Sequence, residues 1–289
     1  MTPSISGGNN FAYGGARTDY NRVENTATIP GFGIPLPDRG PYPTAAFPWS
    51  LKGEQQAFDD RIKTLNIKDP NGLYIVWSGS NDLGDLIGPA AHGLDVSVQL
   101  QNVVDGIRSV INDFITVAGA QNILVPNIPD LGLVPSVLSN GSFVAGVATK
   151  LVQRYNAALD AMLDTFTGVN IDRVDVFSLM GDVANDPMKY GFTKKGVTTA
   201  CYSGFVVPDS TATVCSDPPS NEDPSSYAFW DEEHPTTAFH ALLADRFYQA
   251  VVPEPSALMN FLLGLVVLTA VERIRLLRRH RAVECVSEA

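Results

Sequence analysis

Three short apolar runs, separated by long amphipathic stretches, constrain the fold more than any other feature of the sequence. The first run, residues 73–77, is bounded by glycines, and similar runs lie within residues 121–130 and, more weakly, 169–179. A short continuous run of bulky apolar residues is typical of a strand buried on both faces of a parallel sheet. Between the runs, apolar residues recur at helical spacing over about residues 94–118 and 143–166. The alternation predicts an α/β fold, in which helices cover a parallel sheet.

The chain is long enough to bury a full core, and its charge argues against one class of partner. It has 289 residues, 45% of them hydrophobic, and a formal net charge of -11. A nucleic-acid partner would require a basic surface, so we expect none. The charge is uneven, because residues 253–289 carry five arginines against four glutamates, whereas residues 1–252 carry a net charge of -12. We therefore expect one domain over residues 1–252 and a chemically different segment over residues 253–289.

This C-terminal segment consists of a short motif, an apolar run and a basic end. Residues 252–257 read VPEPSA and residues 258–271 are mostly apolar. The run is shorter than the roughly 20 residues of a typical membrane-spanning helix, but flanking side chains can extend it. The pattern predicts a C-terminal transmembrane helix with its basic end in the cytoplasm, and an amphipathic helix is the alternative. The basic residues are Arg273, Arg275, Arg278, Arg279 and Arg281.

The order of these three parts resembles the PEP-CTERM sorting signal of Gram-negative bacteria, with Pro253, Glu254 and Pro255 in the motif. The resemblance implies export, an intermediate held in the inner membrane, and recognition by a sorting protease of the exosortase type. It also implies a mature protein at the cell surface or outside the cell.

Two cysteines lie in a segment that is rich in Gly, Pro, Ser and Thr. Cys201 and Cys215 are 14 residues apart, and no set of zinc ligands lies near them at a fitting spacing. In an oxidising compartment, two thiols that close such a loop are typical of a disulfide. We expect a Cys201–Cys215 disulfide, with two unpaired thiols as the alternative.

Two loops contain groups that could donate hydrogen bonds to an oxyanion. The sequence GSND, residues 79–82, follows the first apolar run directly, so Asn81 would lie at the carboxyl edge of the sheet, where α/β proteins bind ligands. Near the N-terminus, Gly14 and Gly15 permit the main chain to approach a ligand closely, and a backbone N–H is a common oxyanion donor. Taken alone, each pattern is equally typical of an ordinary turn.

A third loop, with the sequence DEEHPT at residues 231–236, places an acid and a histidine three positions apart before a helical pattern. An imidazole that acts as a base needs one nitrogen facing the nucleophile and the other held by a carboxylate, which Asp231 and His234 could provide. The alternative is a solvated acidic turn with a histidine that caps the helix. The helix would begin after Thr236 or Thr237 and bury three aromatic or aliphatic side chains, with His240 on its surface. The predicted buried residues are Phe239, Leu243 and Phe247.

Taken in order, NFAYGGA, GSND and DEEHPT resemble the conserved blocks of the GDSL or SGNH family of serine ester hydrolases. The segments VPNIPDLGLVP (residues 125–135) and RYNAAL (residues 154–159) are similar to further segments of that family, so the resemblance extends over residues 8–251. It implies a flavodoxin-like sheet with helices on both faces and hydrolysis of lipid, aryl or acetylated-sugar esters without a cofactor or metal.

The resemblance also implies a role for each matching residue. His234 would be the general base and Asp231 its orienting partner. The backbone N–H of Gly15 and the side chain of Asn81 would hold the oxyanion of the tetrahedral intermediate.

The sequence departs from the family at the nucleophile. The family's GDSL-like block, at the end of the first strand, has no counterpart here: Ser4 and Ser6 are in no such motif, and Ser78 and Ser80 are in a different block. We therefore expect the hydrolase domain of residues 1–252 to be N-terminally incomplete, without its first strand and its nucleophile. Two functions remain possible, an esterase whose nucleophile lies outside this sequence and an inactive surface or matrix protein that uses the fold for binding.

Overall fold

The computed structural model of the chain describes residues 2–18, 50–204, 212–252 and 265–273. The chain divides into two compact units, Met1–Phe247 and Tyr248–Ala289. The predicted boundary after residue 252 stays a prediction. The strands are β1 (Leu73–Ile75), β2 (Asn122–Pro126) and β3 (Asn170–Val174). The helices are α1 (Leu51–Leu65), α2 (Ser80–Ala91), α3 (Ser97–Thr116), α4 (Pro135–Leu138), α5 (Ser142–Leu163), α6 (Val176–Asn185) and α7 (Thr237–Val251).

The three strands form a parallel sheet in the order β1-β2-β3. Leu73 pairs with Asn122, and Asn122 pairs in turn with Asn170. Parallel neighbours require long crossover connections, which α2 and α3 provide between β1 and β2, and α4 and α5 between β2 and β3. The predicted α/β fold with a parallel sheet is confirmed.

The core lies around β2. Ile123, Leu124 and Val125 are almost fully buried although successive side chains point to opposite faces, so both faces of this strand are covered. Helix α3 contributes a buried stripe at helical spacing, including Val103, Ile107 and Ile111. Helix α5 contributes a similar stripe to the same cluster. The predicted helices over about residues 94–118 and 143–166 are therefore confirmed. Helix α3 lies inside its predicted range, and α5 begins one residue before its predicted range and ends three residues before the end of that range.

The prediction of a fully buried first apolar run is wrong. Leu73, Ile75 and Trp77 are 45%, 39% and 39% exposed, while Val76 is buried. These alternate residues point to one face of the sheet, and β1 is its margin, since no strand in the described ranges pairs with the outer edge of β1. Among the described residues, β1 is thus an edge strand of the sheet, and its apolar side chains are in contact with solvent.

The expected helix after the DEEHPT loop is α7. Thr236 precedes it and its hydroxyl accepts a hydrogen bond from the Phe239 N–H at 3.3 Å, which is the arrangement of an N-cap. Phe239 and Leu243 are buried and His240 is exposed, as the sequence pattern predicts, whereas Phe247, also predicted to be buried, is only half-buried.

The predicted disulfide between Cys201 and Cys215 is formed, with an S–S distance of 2.04 Å. Both sulfur-bearing residues are buried and pack against Tyr227 in a small cluster of their own.

In the second unit, residues 265–273 are helical and exposed. None of the helices in the described ranges is long and apolar enough to span a bilayer. The remaining part of the predicted transmembrane segment lies outside the described residues, as do Pro253, Glu254 and Pro255. The C-terminal transmembrane helix and the sorting motif stay predictions.

Candidate functional site

The candidate residues lie in loops that follow the carboxyl ends of the strands. Helix α2 begins at Ser80, five residues after β1 ends at Ile75, so Asn81 is in its first turn. The loop that contains Asp231 is tied to the chain after β2, because the N–H of Ser136 in α4 donates to the carbonyl of Glu232 at 3.0 Å. Since the carboxyl ends of parallel strands meet at one edge of a sheet, both loops belong to that edge.

The glycine loop forms a tight turn. The N–H of Ala16 donates to the carbonyl of Tyr13 at 3.4 Å, and Gly15 has φ of +80°. A positive φ at the third residue is the mark of a type II turn, which favours glycine because a Cβ there is strained. Gly15 is exposed, and among the described residues its N–H has no protein acceptor. The turn therefore leaves the Gly15 N–H as a donor for a ligand.

Asn81 lies against this turn. Its side-chain Nδ2 donates to the carbonyl of Ala16 at 3.0 Å. An amide nitrogen carries two hydrogens, so this contact uses one of them. The structure thus brings the two predicted oxyanion donors, Gly15 and Asn81, to adjacent positions.

Two further carboxylates of α2 hold the residues after the turn. Asp85 accepts two hydrogen bonds from the Arg17 guanidinium, from Nε at 2.8 Å and from Nη2 at 2.9 Å. Both Asp82 carboxylate oxygens accept from the Thr18 N–H, at 3.0 and 3.2 Å. We name the set Gly15–Thr18 with Asn81, Asp82 and Asp85 the turn-anchor cluster.

Sequence reasoning missed these anchors. The available signal was the spacing of Asp82 and Asp85, which places two acids on one face of a helix whose neighbouring positions, Leu83 and Leu86, are apolar and buried. A carboxylate on such a helix requires a partner, and Arg17, which directly follows the NFAYGGA segment, is a candidate.

Asp82 has an unusual protonation equilibrium. Burial raises its pKa, and the Thr18 N–H and the Arg17 charge counteract burial only in part, so that the pKa is about 7. The neighbouring charge of Asp85 adds to the rise. Asp82 therefore changes its charge near neutral pH although it is only 6% exposed.

The chain reaches α2 through a crowded glycine. Gly79 has φ of +113°, and a Cβ at this position would lie 3.0 Å from the Tyr155 hydroxyl oxygen and 3.2 Å from a methyl carbon of Val103. Tyr155 itself is fully buried, and its hydroxyl donates to the carbonyl of Ser78 at 3.4 Å. The glycine of GSND is thus required for the entry into α2 that places Asn81.

Asp231 and His234 are in direct contact. The Nδ1 atom of His234 lies 2.9 and 3.0 Å from the two carboxylate oxygens of Asp231. The same carboxylate accepts from the backbone N–H groups of Glu233 at 2.8 Å and His234 at 2.7 Å, which fixes the loop in a local turn. The His234 side chain is 63% exposed and that of Asp231 only 12%. The carboxylate is therefore an internal anchor, and the imidazole lies at the surface.

The electrostatics of this pair favour an ionised acid. Burial alone would raise the pKa of Asp231, but hydrogen bonds from the His234 ring and from the backbone of Glu233 and His234 outweigh it, so the pKa lies below its usual value. Asp231 is then negatively charged at neutral pH, and it stabilises a proton on His234.

The disulfide loop supports the segment that leads into Asp231. The N–H of Cys201 donates to the carbonyl of Phe229 at 3.0 Å, and the N–H of Tyr202 donates to the carbonyl of Trp230 at 2.6 Å. The rings of Tyr202 and Trp230 stack with their centroids 5.8 Å apart. The loop that bears His234 is thus held from one side by the disulfide loop and from the other by α4.

The described ranges contain no group of three or more His, Cys, Asp or Glu residues arranged to hold a metal ion. The expectation that the protein needs no cofactor stays a prediction. In sum, the structure places the candidate residues in two groups, Gly15 with Asn81 and Asp231 with His234.

Comparison with known proteins identifies the family to which the sequence of this chain is similar. Residues 2–247 match the model of the GDSL-like lipase/acylhydrolase family. The chain is 28% identical over 251 residues to Esterase EstA of Pseudomonas aeruginosa, an alignment that covers 84% of this chain and 34% of EstA. It is 29% identical over 219 residues to GDSL esterase/lipase EXL2 of Arabidopsis thaliana, which covers 70% of this chain and 54% of that protein. The chain therefore spans between a third and a little over half of the length of these curated relatives.

Proposed function

The chain belongs to the GDSL-like lipase/acylhydrolase family, and from this premise we propose that it hydrolyses carboxylic esters by acyl transfer through a Ser-His-Asp triad. The observation that carries the proposal is the contact of both Asp231 carboxylate oxygens with His234 Nδ1. The substrate class is a lipid, aryl or acetylated-sugar ester, in keeping with relatives that are named esterases or lipases.

In this mechanism Asp231 orients His234 and stabilises its charged form. With Nδ1 facing the carboxylate, Nε2 is the ring nitrogen that accepts the proton of the attacking serine hydroxyl. The same nitrogen then gives the proton to the leaving alcohol, and a water molecule repeats the cycle on the acyl-enzyme. The low pKa of Asp231 supports this role, because the acid stays ionised while the imidazole gains its charge.

The oxyanion of the tetrahedral intermediate would be bound by the backbone N–H of Gly15 and by Asn81 Nδ2. The type II turn and the contact of Asn81 with Ala16, the residue after Gly15, support this assignment, since they attach Asn81 to the turn that contains Gly15. Donors that are fixed before the reaction are effective because they need no reorganisation when charge develops on the substrate.

The nucleophilic serine would come from the end of a strand that pairs with the outer edge of β1, and no strand in the described ranges occupies that position. The exposed apolar residues Leu73, Ile75 and Trp77 support the proposal, because an additional strand with its own side chains would cover that margin. The turn after such a strand would end at the same edge of the sheet as Asn81.

The test is hydrolysis of p-nitrophenyl esters by a protein that also carries the residues encoded upstream of Met1. We expect His234→Ala to lower kcat by about 10²–10⁴-fold, as for other general bases. His240→Ala is the matched control, since His240 is exposed on α7 and lies outside the proposed triad, and its activity should equal that of the unmodified protein. If His234→Ala retains full activity, the triad is wrong. If the folded, extended protein hydrolyses no ester, the binding function replaces the enzymatic one.

We also propose that residues 253–289 are a sorting segment that spans the inner membrane before a protease of the exosortase type removes it. The proposal rests on the order of motif, apolar run and arginines, with Pro253, Glu254 and Pro255 as the motif. Mass spectrometry of the protein from cells tests it, because processing predicts a mature C-terminus near residue 253. Recovery of the intact C-terminus from the cell surface would contradict the proposal.

A further inference from the structure

We propose that the buried ion pair of Arg17 and Asp85 is a positioning unit for the Gly15 oxyanion donor. The inference rests on the proposed function and adds two positioning residues to it. Neither Arg17 nor Asp85 would touch the substrate. They would act by fixing the direction in which the Gly15 N–H points.

The ion pair is rigid and buried. Arg17 Nε and Nη2 each donate to a different oxygen of Asp85, at 2.8 and 2.9 Å, and the two side chains are 3% and 5% exposed. A guanidinium held by two parallel hydrogen bonds cannot rotate, so its third nitrogen has a defined direction. Lysine at the same position would have neither the planar fork nor the fixed direction.

The third nitrogen of Arg17 is bonded to the glycine turn. Nη1 donates to the carbonyl of Gly15 at 2.6 Å. Gly15 lacks a side chain and has φ of +80°, and no atom of the described residues lies within 4 Å of the position that a Cβ would occupy, so side-chain packing within the described ranges does not hold it. The orientation of its peptide groups must therefore come from hydrogen bonds. The bond from Arg17 fixes its carbonyl, and Asp85 fixes Arg17. The Gly15 N–H belongs to the preceding peptide group, so its direction depends on this carbonyl together with the turn bond from the Ala16 N–H to the Tyr13 carbonyl.

The remaining contacts connect the same turn to α2 and α1. Asn81 holds the carbonyl of Ala16 at 3.0 Å, and Asp82 holds the N–H of Thr18. On the other side, Glu54 of α1 accepts from the N–H of Tyr13 at 3.0 Å. Of these anchors, Arg17 with Asp85 supplies the side-chain hydrogen bond to Gly15 itself, beside the turn bond from the Ala16 N–H to the Tyr13 carbonyl. The loss of this pair should therefore disturb the oxyanion donor while the chain on either side stays attached.

The effect should appear in kcat and not in KM, because an oxyanion donor binds charge that develops only after the substrate is bound. Loss of one complete oxyanion donor typically lowers kcat by about 10²–10³-fold. Since the Gly15 N–H would be misdirected and not removed, we expect a fall in kcat of about 10–10²-fold. The change in KM should stay within about threefold.

The variant of choice removes both charges at once. Asp85→Asn alone would remove the carboxylate charge that faces a buried guanidinium and risks unfolding, whereas replacement of both members of a buried ion pair by apolar residues of similar volume is often tolerated. The test protein is Arg17→Met combined with Asp85→Leu, in the N-terminally extended enzyme. Asp59→Asn is the matched control, because Asp59 is also a buried acid with a lysine partner but lies in α1 without a hydrogen bond to the turn.

A second measurement does not depend on activity. In the chain of 289 residues, the amide resonance of Gly15 should shift or broaden in the double variant and should keep its position in Asp59→Asn. This readout reports the conformation of the turn directly, whether or not a nucleophile is present.

The outcomes separate the inference from the proposed function. A fall in kcat with KM nearly unchanged, together with an altered Gly15 resonance, is the expected result. A double variant with unchanged kcat, in an enzyme that His234→Ala inactivates, would overturn the positioning role and leave the triad intact. A rise in KM at constant kcat would also overturn it, since that pattern belongs to substrate binding. If His234→Ala is fully active, the proposed triad is wrong. An unchanged Gly15 resonance in the double variant would then contradict the positioning role as well.

Discussion

Replacement of Asp82 by asparagine should make the stability of the protein less dependent on pH. The folded-state pKa of Asp82 is about 7, above its ordinary value of 3.8, because burial disfavours the charged carboxylate. For an acid whose pKa is raised by folding, the folded state is favoured while the group is protonated. That contribution is complete below the pKa of the unfolded chain, and it is lost as the pH rises through the pKa of the folded protein.

The magnitude follows from the size of the shift. A rise of about 3 pKa units corresponds to about 4 kcal/mol at most, since one unit is 1.36 kcal/mol. Part of this stabilisation is already lost at about pH 5, because the acid of the unfolded chain is mostly ionised there. A further loss of about 3 kcal/mol is expected between about pH 5 and pH 8.5. For a protein with a typical stability of roughly 5–15 kcal/mol, a loss of this size is readily measured.

Urea unfolding of the 289-residue chain at these two pH values provides the assay. Between about pH 5 and pH 8.5, the free energy of unfolding should decrease in both proteins. We expect this decrease to be about 3 kcal/mol smaller in Asp82→Asn than in the unmodified protein. Asparagine retains an oxygen that can accept from Thr18, so both proteins should have similar stability near pH 5. Asp182→Asn, at an exposed position of α6, is the control and should keep the pH dependence of the unmodified protein. Parallel pH profiles for Asp82→Asn and the unmodified protein would refute the reasoning.

Two further predictions concern the disulfide and the entry into α2. Reduction of Cys201–Cys215, or its replacement by serines, should lower the free energy of unfolding by about 3 kcal/mol, as expected for a loop of roughly 15 residues, and urea unfolding with and without reductant measures the change. Gly79→Ala should cost about 3 kcal/mol, since the new Cβ would lie 3.0 Å from the Tyr155 hydroxyl oxygen at an unfavourable φ. At Gly84, in the same helix, no heavy atom of the described residues lies within 4 Å of the Cβ position, so Gly84→Ala should instead stabilise the protein by up to about 1 kcal/mol. Equal melting temperatures for the two alanine variants would show that crowding at Gly79 has no effect.

Several elements of the fold could be predicted because their patterns are local. The stripe of Leu100, Ile107 and Phe114 specifies the buried face of α3, and the run around Leu124 specifies the central strand. The same reasoning failed at Leu73 and Ile75, whose apolar character indicates burial although the described residues leave them at a sheet margin. The apolar character of a residue indicates that its side chain prefers to be buried. It does not indicate whether a neighbouring strand or helix is present to bury it.

The candidate site shows the same limit. Asp231 and His234 could be paired from sequence because three residues on one loop bring their side chains within reach. The ion pair of Arg17 and Asp85 could not, since it joins residues 68 positions apart and depends on how α2 packs against the N-terminal segment. The pKa of Asp82 is likewise a property of burial in the folded chain, and no local pattern contains it.

The two groups of site residues also differ in when they can form during folding. The anchors of the glycine turn join residues separated by 41 positions at Glu54, 65 at Asn81 and 68 at Asp85. Such contacts require closure of long loops, which is slow and becomes favourable only once the intervening chain has collapsed. The Asp231 and His234 side chains can meet by closure of a very short loop. We therefore expect the histidine loop to acquire local structure early and the glycine turn to become ordered only as α1 and α2 dock, so substitutions that slow this docking would delay the appearance of a complete site.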